Sequence, residues 1–185
     1  ATLFSMLACN RVRIVRDGNT IISDATFRVE PGECVCIVGA GGSGKTLLSR
    51  LLYRADDPDD GTVEVDGVDI RTLPHDVLQL FRARLGIIHQ EPLLLGHATV
   101  QENIAFPLEV QGMSLAEQST RIHELLAALG LQQKADSVPT ELSASERALV
   151  GIARCLAAKP MILVADEPLA LLDAQKAEIA TTLLS

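Results

Sequence analysis

From residue 11 to 16 apolar and charged positions alternate, with Val12 and Ile14 set between arginines, the period of a half-exposed β-strand. A turn at Asp17-Gly18-Asn19 follows, then Ile21-Ile22 and a second strand-like run over residues 25–30, closed by a turn at Pro31-Gly32. Cys34-Val35-Cys36-Ile37-Val38 is short, apolar and partly β-branched, and reads as a buried strand. Leu47, Leu48, Leu51 and Leu52 then recur at helical spacing. Residues 56–61 (DDPDDG) are a loop by composition. After them Val63 and Val65 are joined to Val68 and Ile70 by Asp66-Gly67, a two-residue hairpin signal. Pro74 opens a helix with Val77, Leu80, Phe81 and Leu85 on one face and Gly86 at its end. A short apolar strand over residues 86–89 delivers Gln90.

From Glu91 onward the pattern changes to loops and helices. Ser114-Leu115-Ala116-Glu117 is a capping box, with Leu115, Ile122, Leu125, Leu126 and Leu129 in one stripe up to Gly130. Ser143-Ala144-Ser145-Glu146 is another, opening a helix with Leu149, Ile152, Ala153 and Leu156 on one face and Lys159-Pro160 at its stop. Residues 161–165 form a fully apolar strand ending at Asp166-Glu167. The expected fold is α/β: a core with an antiparallel β portion over residues 1–90, an α-helical insertion over 91–156, and a return to the core over 157–185.

Composition narrows the field. With 185 residues, 48% of them hydrophobic, the chain can bury one sizeable core. Its net charge of −8 and lack of a long basic run argue against nucleic acid as a partner. Cys9, Cys34, Cys36 and Cys155 have neither zinc spacing nor a strand geometry suited to a disulfide, so reduced thiols are expected. No apolar run approaches a membrane span, and any membrane link is expected to run through a partner.

Chemistry concentrates at Gly39-Ala40-Gly41-Gly42-Ser43-Gly44-Lys45-Thr46, which fits the phosphate-binding P-loop G-x-x-x-x-G-K-[ST] between an apolar run and a helix. Glycines let backbone N–H groups turn toward a triphosphate, and the helix, continuing through Leu47, adds its positive end. Lys45 is placed to reach the β- and γ-phosphates of ATP, and the Thr46 hydroxyl to take a place on Mg²⁺. Asp166 and Glu167 close an apolar strand, where open α/β sheets put ligands. Asp166 is the expected metal carboxylate, and Glu167 the base that accepts a proton from the attacking water.

Taken together, the P-loop, Gln90, Leu142-Ser143 before a helix, Asp166-Glu167-Pro168 and Leu172-Asp173 resemble the nucleotide-binding subunits of ABC transporters, essentially over the whole chain. The resemblance implies a RecA-like P-loop NTPase fold, in which a parallel-sheet core carries an antiparallel β subdomain and an inserted helical subdomain. It also implies an ATPase working as a head-to-tail homodimer, with ATP held between one protomer's P-loop and the other's signature segment. Gln90 then matches the Q-loop, serving catalysis and the metal. Residues 142–146 (LSASE) match the signature segment, so that Ser143 and Glu146 reach nucleotide, and Asp173 belongs to the D-loop. Residues 27–33, 66–70 and 102–110 are similar to the FtsE-type cell-division group, whose relatives drive lipoprotein release and macrolide export. That likeness implies an FtsX-like permease as partner and a cytoplasmic location at the inner face of the membrane.

Departures bear on activity. Ala144 and Ser145 stand where the family's signature has two glycines, and Arg147-Ala148-Leu149 follow in place of Gln-Gln-Arg. Val15 or Arg16 occupies the position of the adenine-stacking aromatic, and residues 169–173 read Leu-Ala-Leu-Leu-Asp. The family continues past the equivalent of Ser185 with a strand and a histidine that contacts the γ-phosphate. ATP hydrolysis driving a membrane partner is therefore the expected function, with little turnover from these 185 residues alone. The alternative is a nucleotide-dependent switch that binds ATP and scarcely hydrolyses it.

Overall fold

The structure, a computed structural model, describes residues 6–184. It divides into two compact units, one within Ala1–Leu85 and one within Gly86–Ser185.

The first unit is built on an antiparallel sheet in the order β2-β1-β3-β4. Strands β1 (Leu7–Arg16) and β2 (Asn19–Val29) pair from Leu7–Val29 to Arg16–Asn19. They turn through Asp17 and Gly18, both at positive φ (51° and 76°), as a tight hairpin requires. The other edge of β1 pairs with β3 (Asp60–Val65), which turns through Asp66 and Gly67 (φ 50° and 79°) into the short β4 (Val68–Asp69). Strand β3 thus begins inside the stretch whose composition suggested a loop. Where β1 bulges at Arg11 (φ 47°), it runs so close to Gly61 that any Cβ there would strike the backbone carbonyls of Asn10 and Arg11. Cys9, Val12, Ile14, Val63 and Val65 are buried.

Two helices complete this unit. Helix α1 (Lys45–Leu52) buries Leu48, Leu51 and Leu52. Helix α2 (His75–Arg82) buries Leu78 and Phe81, so its inward face lies one residue off the expected one; Leu80 is 62% exposed, and Leu85 passes into a strand. Arg82 donates to the carbonyls of Tyr53 and Arg54, and Arg54 donates to Ile70 O at 3.3 Å, so arginines close the helix ends. The run Cys34–Val38 departs from expectation. It forms no strand and is exposed, Val38 to 85%. An apolar run becomes a buried strand only where neighbours pair its edges, and within this unit the described residues supply none.

In the second unit β5 (Leu85–Ile88) pairs with β6 (Ile162–Ala165), and the Asp166 N–H donates to Ile88 O at 2.9 Å. Around them stand α3 (Val100–Val110), α4 (Leu115–Ala128), α5 (Ala144–Ala157) and α6 (Ala174–Leu184). Three of these begin in reciprocal capping boxes: Thr99–Glu102, Ser114–Glu117 and Ser143–Glu146. The core joins Val100, Ile104 and Leu108 of α3 with Leu125, Leu126 and Leu129 at α4 and Leu149, Val150 and Ala153 of α5. A smaller cluster of Ile88, Ile152, Cys155 and Ala180 connects strand to helices. Leu115 does not join the buried stripe. It is 81% exposed, because as the first helical residue it lies a turn before Gln118, where burial begins.

Asn103 is fully buried on α3 and was not distinguished by its sequence context. Its amide donates to the carbonyls of Leu95, Ala98 and Thr99 and its oxygen accepts from Leu95 N–H at 2.8 Å, so one side chain shapes the loop entering the helix.

Candidate functional site

The P-loop leads into α1 through two left-handed glycines, Gly42 (φ 76°) and Gly44 (φ 93°). Gly44 is the residue before the helix, and a Cβ there would sit 2.8 Å from Ile21 Cγ2; the loop therefore packs on β2 only without a side chain. Gly39, Ala40, Gly41, Gly42 and Ser43 are exposed. Ser43 N–H bonds Ala40 O at 3.2 Å, which curls the loop, and Leu48 N–H bonds Gly44 O at 2.8 Å, which starts the helix. The Lys45 ammonium folds back over the loop and donates to Gly39 O and Ala40 O, both at 3.1 Å. Thr46 is exposed at the helix start, and Leu47 is half-buried beside it. The loop thus presents what a polyphosphate needs: a helix N-terminus, exposed main chain and one ammonium group.

In the second unit Gln90 and Glu167 meet at the ends of β5 and β6. Gln90 Nε2 donates to Glu167 Oε2 at 3.1 Å. Glu167 has positive φ (49°), a conformation that takes the chain sharply out of β6 into Pro168. Both line a small cleft with His89, Pro92, Leu93 and Leu171, and with Ala148, Gly151 and Arg154 at every third position of α5. Pro92 and Arg154 were not distinguished by sequence reasoning; an arginine within the apolar stretch of α5 was the available signal. Burial pushes the Arg154 guanidinium pKa below its ordinary value. Asp166 is half-buried beside Glu167.

Ser143 and Glu146 are brought together at the start of α5. Ser143 N–H donates to Glu146 Oε2 at 2.8 Å, and Glu146 N–H donates to Ser143 Oγ at 3.2 Å. Those bonds, with Lys134 at 3.6 Å from Glu146 Oε1, hold the Glu146 carboxyl below its usual range. Ser145, in place of a glycine, leaves its hydroxyl oxygen sealed from solvent and without a hydrogen bond. Asp173 stands before α6, where its carboxylate accepts from Lys176 N–H and pairs with the Lys176 ammonium at 3.1 Å. The bonds from Lys176 lower its pKa.

Oxygen donors of the kind a small hard cation takes occur in each unit: the Thr46 hydroxyl in the first, and the Gln90 amide oxygen and the Asp166 carboxylate in the second. Gln90 keeps that oxygen available, since its nitrogen makes the bond to Glu167. No cluster of three or more His, Cys, Asp or Glu that could by itself hold a metal ion occurs among the described residues.

Comparison with known proteins extends the picture. Residues 22–170 match the model of the ABC transporter family. A methionine import ATP-binding protein (MetN) of Xanthomonas axonopodis pv. citri is 40% identical over 171 residues, covering 91% of this chain and 51% of that protein. The MetN protein of Brucella abortus is 36% identical over 184 residues, 100% of this chain and 50% of its own length. The chain therefore spans about half the length of these curated relatives. Their names do not support the FtsE-type assignment suggested by residues 27–33, 66–70 and 102–110. Among solved structures, the ATP-binding cassette MJ0796, seen as a dimer in a post-hydrolysis state with ADP and phosphate, superposes with a TM-score of 0.88. It shares 29% identity, covering 96% of this chain and 81% of its own. The architecture is accordingly that of the P-loop NTPase cassettes, mixing sheets with helices. With its P-loop, strand-end Gln90 and Glu167 and capped signature helix all inside or beside the matched span, this chain belongs to the ABC transporter family.

Proposed function

We propose that this chain is the ATP-binding and ATP-hydrolysing domain of an ABC import complex, pairing head to tail with a second copy and driving an integral membrane partner from the cytoplasmic face. The observation that supports hydrolysis is the Gln90–Glu167 hydrogen bond at the strand ends, which orders a carboxylate of the kind that can act as a base. The P-loop amides and Lys45 bind and orient the phosphates of ATP, and Thr46, Asp166 and Gln90 supply oxygens for Mg²⁺. When bound, that cation supplies charge neutralisation on the phosphates. Glu167 accepts the proton of the attacking water, while Gln90 orients both. Ser143, at the positive end of α5, faces the γ-phosphate held by the other copy, and Asp173 lies at the junction between copies. The relatives' names favour a solute importer over a cell-division FtsX-like partner, and methionine is the first solute to test. Among the described residues no helix is long and apolar enough to cross a membrane, in keeping with a membrane link through the partner.

Phosphate release at saturating MgATP tests the reading. Lys45→Ala should abolish MgATP binding, and Glu167→Gln should retain binding while losing at least a hundredfold in turnover. Equal turnover in the parent protein and Glu167→Gln would leave only a nucleotide-dependent switch, a role that the Ala144-Ser145 replacement of two glycines would suit.

A further inference from the structure

Helices α3, α4 and α5 begin in the same capping box, and the last of the three is bonded differently. At α3 the Glu102 Oε2 atom accepts from both the N–H and the hydroxyl of Thr99, at 2.7 and 3.0 Å. At α4 the Glu117 Oε2 atom accepts both from Ser114, at 3.1 and 2.6 Å. At α5 the Glu146 Oε2 atom accepts the Ser143 N–H at 2.8 Å. The Ser143 hydroxyl, though near enough to help hold that carboxyl pKa down, makes no such well-aligned bond to it. Ser143 Oγ accepts from Glu146 N–H at 3.2 Å, which uses a lone pair and leaves the O–H proton to donate elsewhere. Ser143 is exposed, so a ligand can reach that proton.

The other oxygen of the carboxylate is where the boxes part. Lys134 Nζ stands 3.6 Å from Glu146 Oε1, whereas among the described residues neither Glu102 nor Glu117 pairs with a lysine or arginine. Lys134 closes a one-turn 3₁₀ helix (Gln132–Lys134), and its backbone is fixed on both sides, donating to Leu131 O at 2.9 Å and accepting from Ser137 N–H at 3.0 Å. The same turn is tied to the start of α3, where Val100 N–H donates to Ser137 O and Gln101 Nε2 to Asp136 Oδ1 at 2.8 Å. We propose that Lys134 is a positioning residue for Ser143: by drawing the Glu146 carboxylate to itself, it keeps the Ser143 hydroxyl proton free to donate to the γ-phosphate of a nucleotide held by the second copy. A carboxylate and a phosphate are both charged acceptors and compete for one proton. With one oxygen facing an ammonium and the other on a main-chain N–H, the carboxylate pulls less on the hydroxyl. The inference rests on the head-to-tail reading given above and names the group that readies its serine.

Sedimentation velocity of the Glu167→Gln protein at varied MgATP reads the effect, with thermal melts beside it. Added to that protein, Lys134→Met should raise the MgATP needed for half-dimerisation about fivefold, the worth of one hydrogen bond. It should not lower the melting temperature, because the hydroxyl bond it lets form replaces a partly exposed ion pair. Lys134→Arg should return most of the loss. With Glu146→Gln also present, Lys134→Met should raise the requirement by less than about twofold, since a neutral amide draws the hydroxyl more weakly than a carboxylate. An unchanged requirement for Lys134→Met, no return with arginine, the same loss on top of Glu146→Gln, or a loss matched by a lower melting temperature would each overturn the proposal. If Lys134→Met fails to fold, Lys134→Gln gives the same comparison. A Glu167→Gln protein that stays monomeric with MgATP would overturn the head-to-tail reading as well, and that result is seen before any lysine variant is made.

Discussion

At the scale of single residues, the side chains that shape this molecule are often not the ones that carry its chemistry. Asn103 sits at zero exposure and bonds both donor and acceptor groups of the loop before α3. Replacing it by alanine would leave Leu95 N–H and several carbonyls buried without partners. The expected cost is about 3 kcal/mol, read as a shift in the urea midpoint at unchanged slope. A loss below about 0.5 kcal/mol would mean that water replaces the amide fully. The contrast with Gln90 is instructive. Both are amides at the edge of an element, but Gln90 is exposed and spends one hydrogen bond on another functional side chain, whereas Asn103 spends all of its bonds on backbone.

Among the elements, the repeated device is the capping box. Glu102, Glu117 and Glu146 each accept hydrogen bonds from the residue before the helix, and each carboxyl is held below its ordinary value of 4.5, the backbone donor coming first for Glu102 and Glu146 and the hydroxyl for Glu117. A carboxyl depressed in the folded state stabilises fully above its unfolded pKa and loses that contribution as pH falls through the folded one. Stability should therefore be flat between neutral pH and about 5 and decline below about 4.5. Glu117→Gln keeps a hydrogen-bonding side chain without the titration, so the decline should be shallower in that variant; parallel curves would remove Glu117 from the cause. Ser114→Ala should cost about 1 kcal/mol by the same melts.

Two of these boxes, at Ser114 and Ser143, were legible because the signal is local, four residues long and read without knowing the fold. The third, Thr99–Glu102, carries the same spacing but stands before a helix whose apolar pattern is weak and contains Pro107, so α3 did not emerge from periodicity. Cys34–Val38 failed for the opposite reason: its composition is that of a strand, but pairing is decided by neighbours far along the chain. The site divides likewise. The P-loop, Gln90, Asp166 and Glu167 read as contiguous motifs, whereas the place of Arg154 in the wall of the cleft depends on how α5 packs beside the strand ends.

For the whole molecule, the P-loop motif belongs to the first compact unit, and Gln90, Glu167 and the capped start of α5 belong to the second. Ser143 and the P-loop glycines before Gly44 are exposed, as a site completed by a second copy would require. With MgATP, Glu167→Gln should therefore shift from monomer to dimer in sedimentation velocity, and return to monomer when MgADP replaces it. A monomer under both conditions would exclude a nucleotide-bridged pair for this length of chain. The net charge of −8 makes the encounter of two copies repulsive at low ionic strength, so moderate salt should assist the pairing.

The ammonium of Lys45, resting on two carbonyls of its own loop, turns nucleotide capture into an exchange. A triphosphate bound there would not simply add contacts; it would compete with at least that pair of peptide dipoles for the cation. Measured affinity then reports a difference between two occupied arrangements. The orientation of the peptide planes at Gly39 and Ala40 becomes a means of tuning that difference without altering any atom that touches the phosphates.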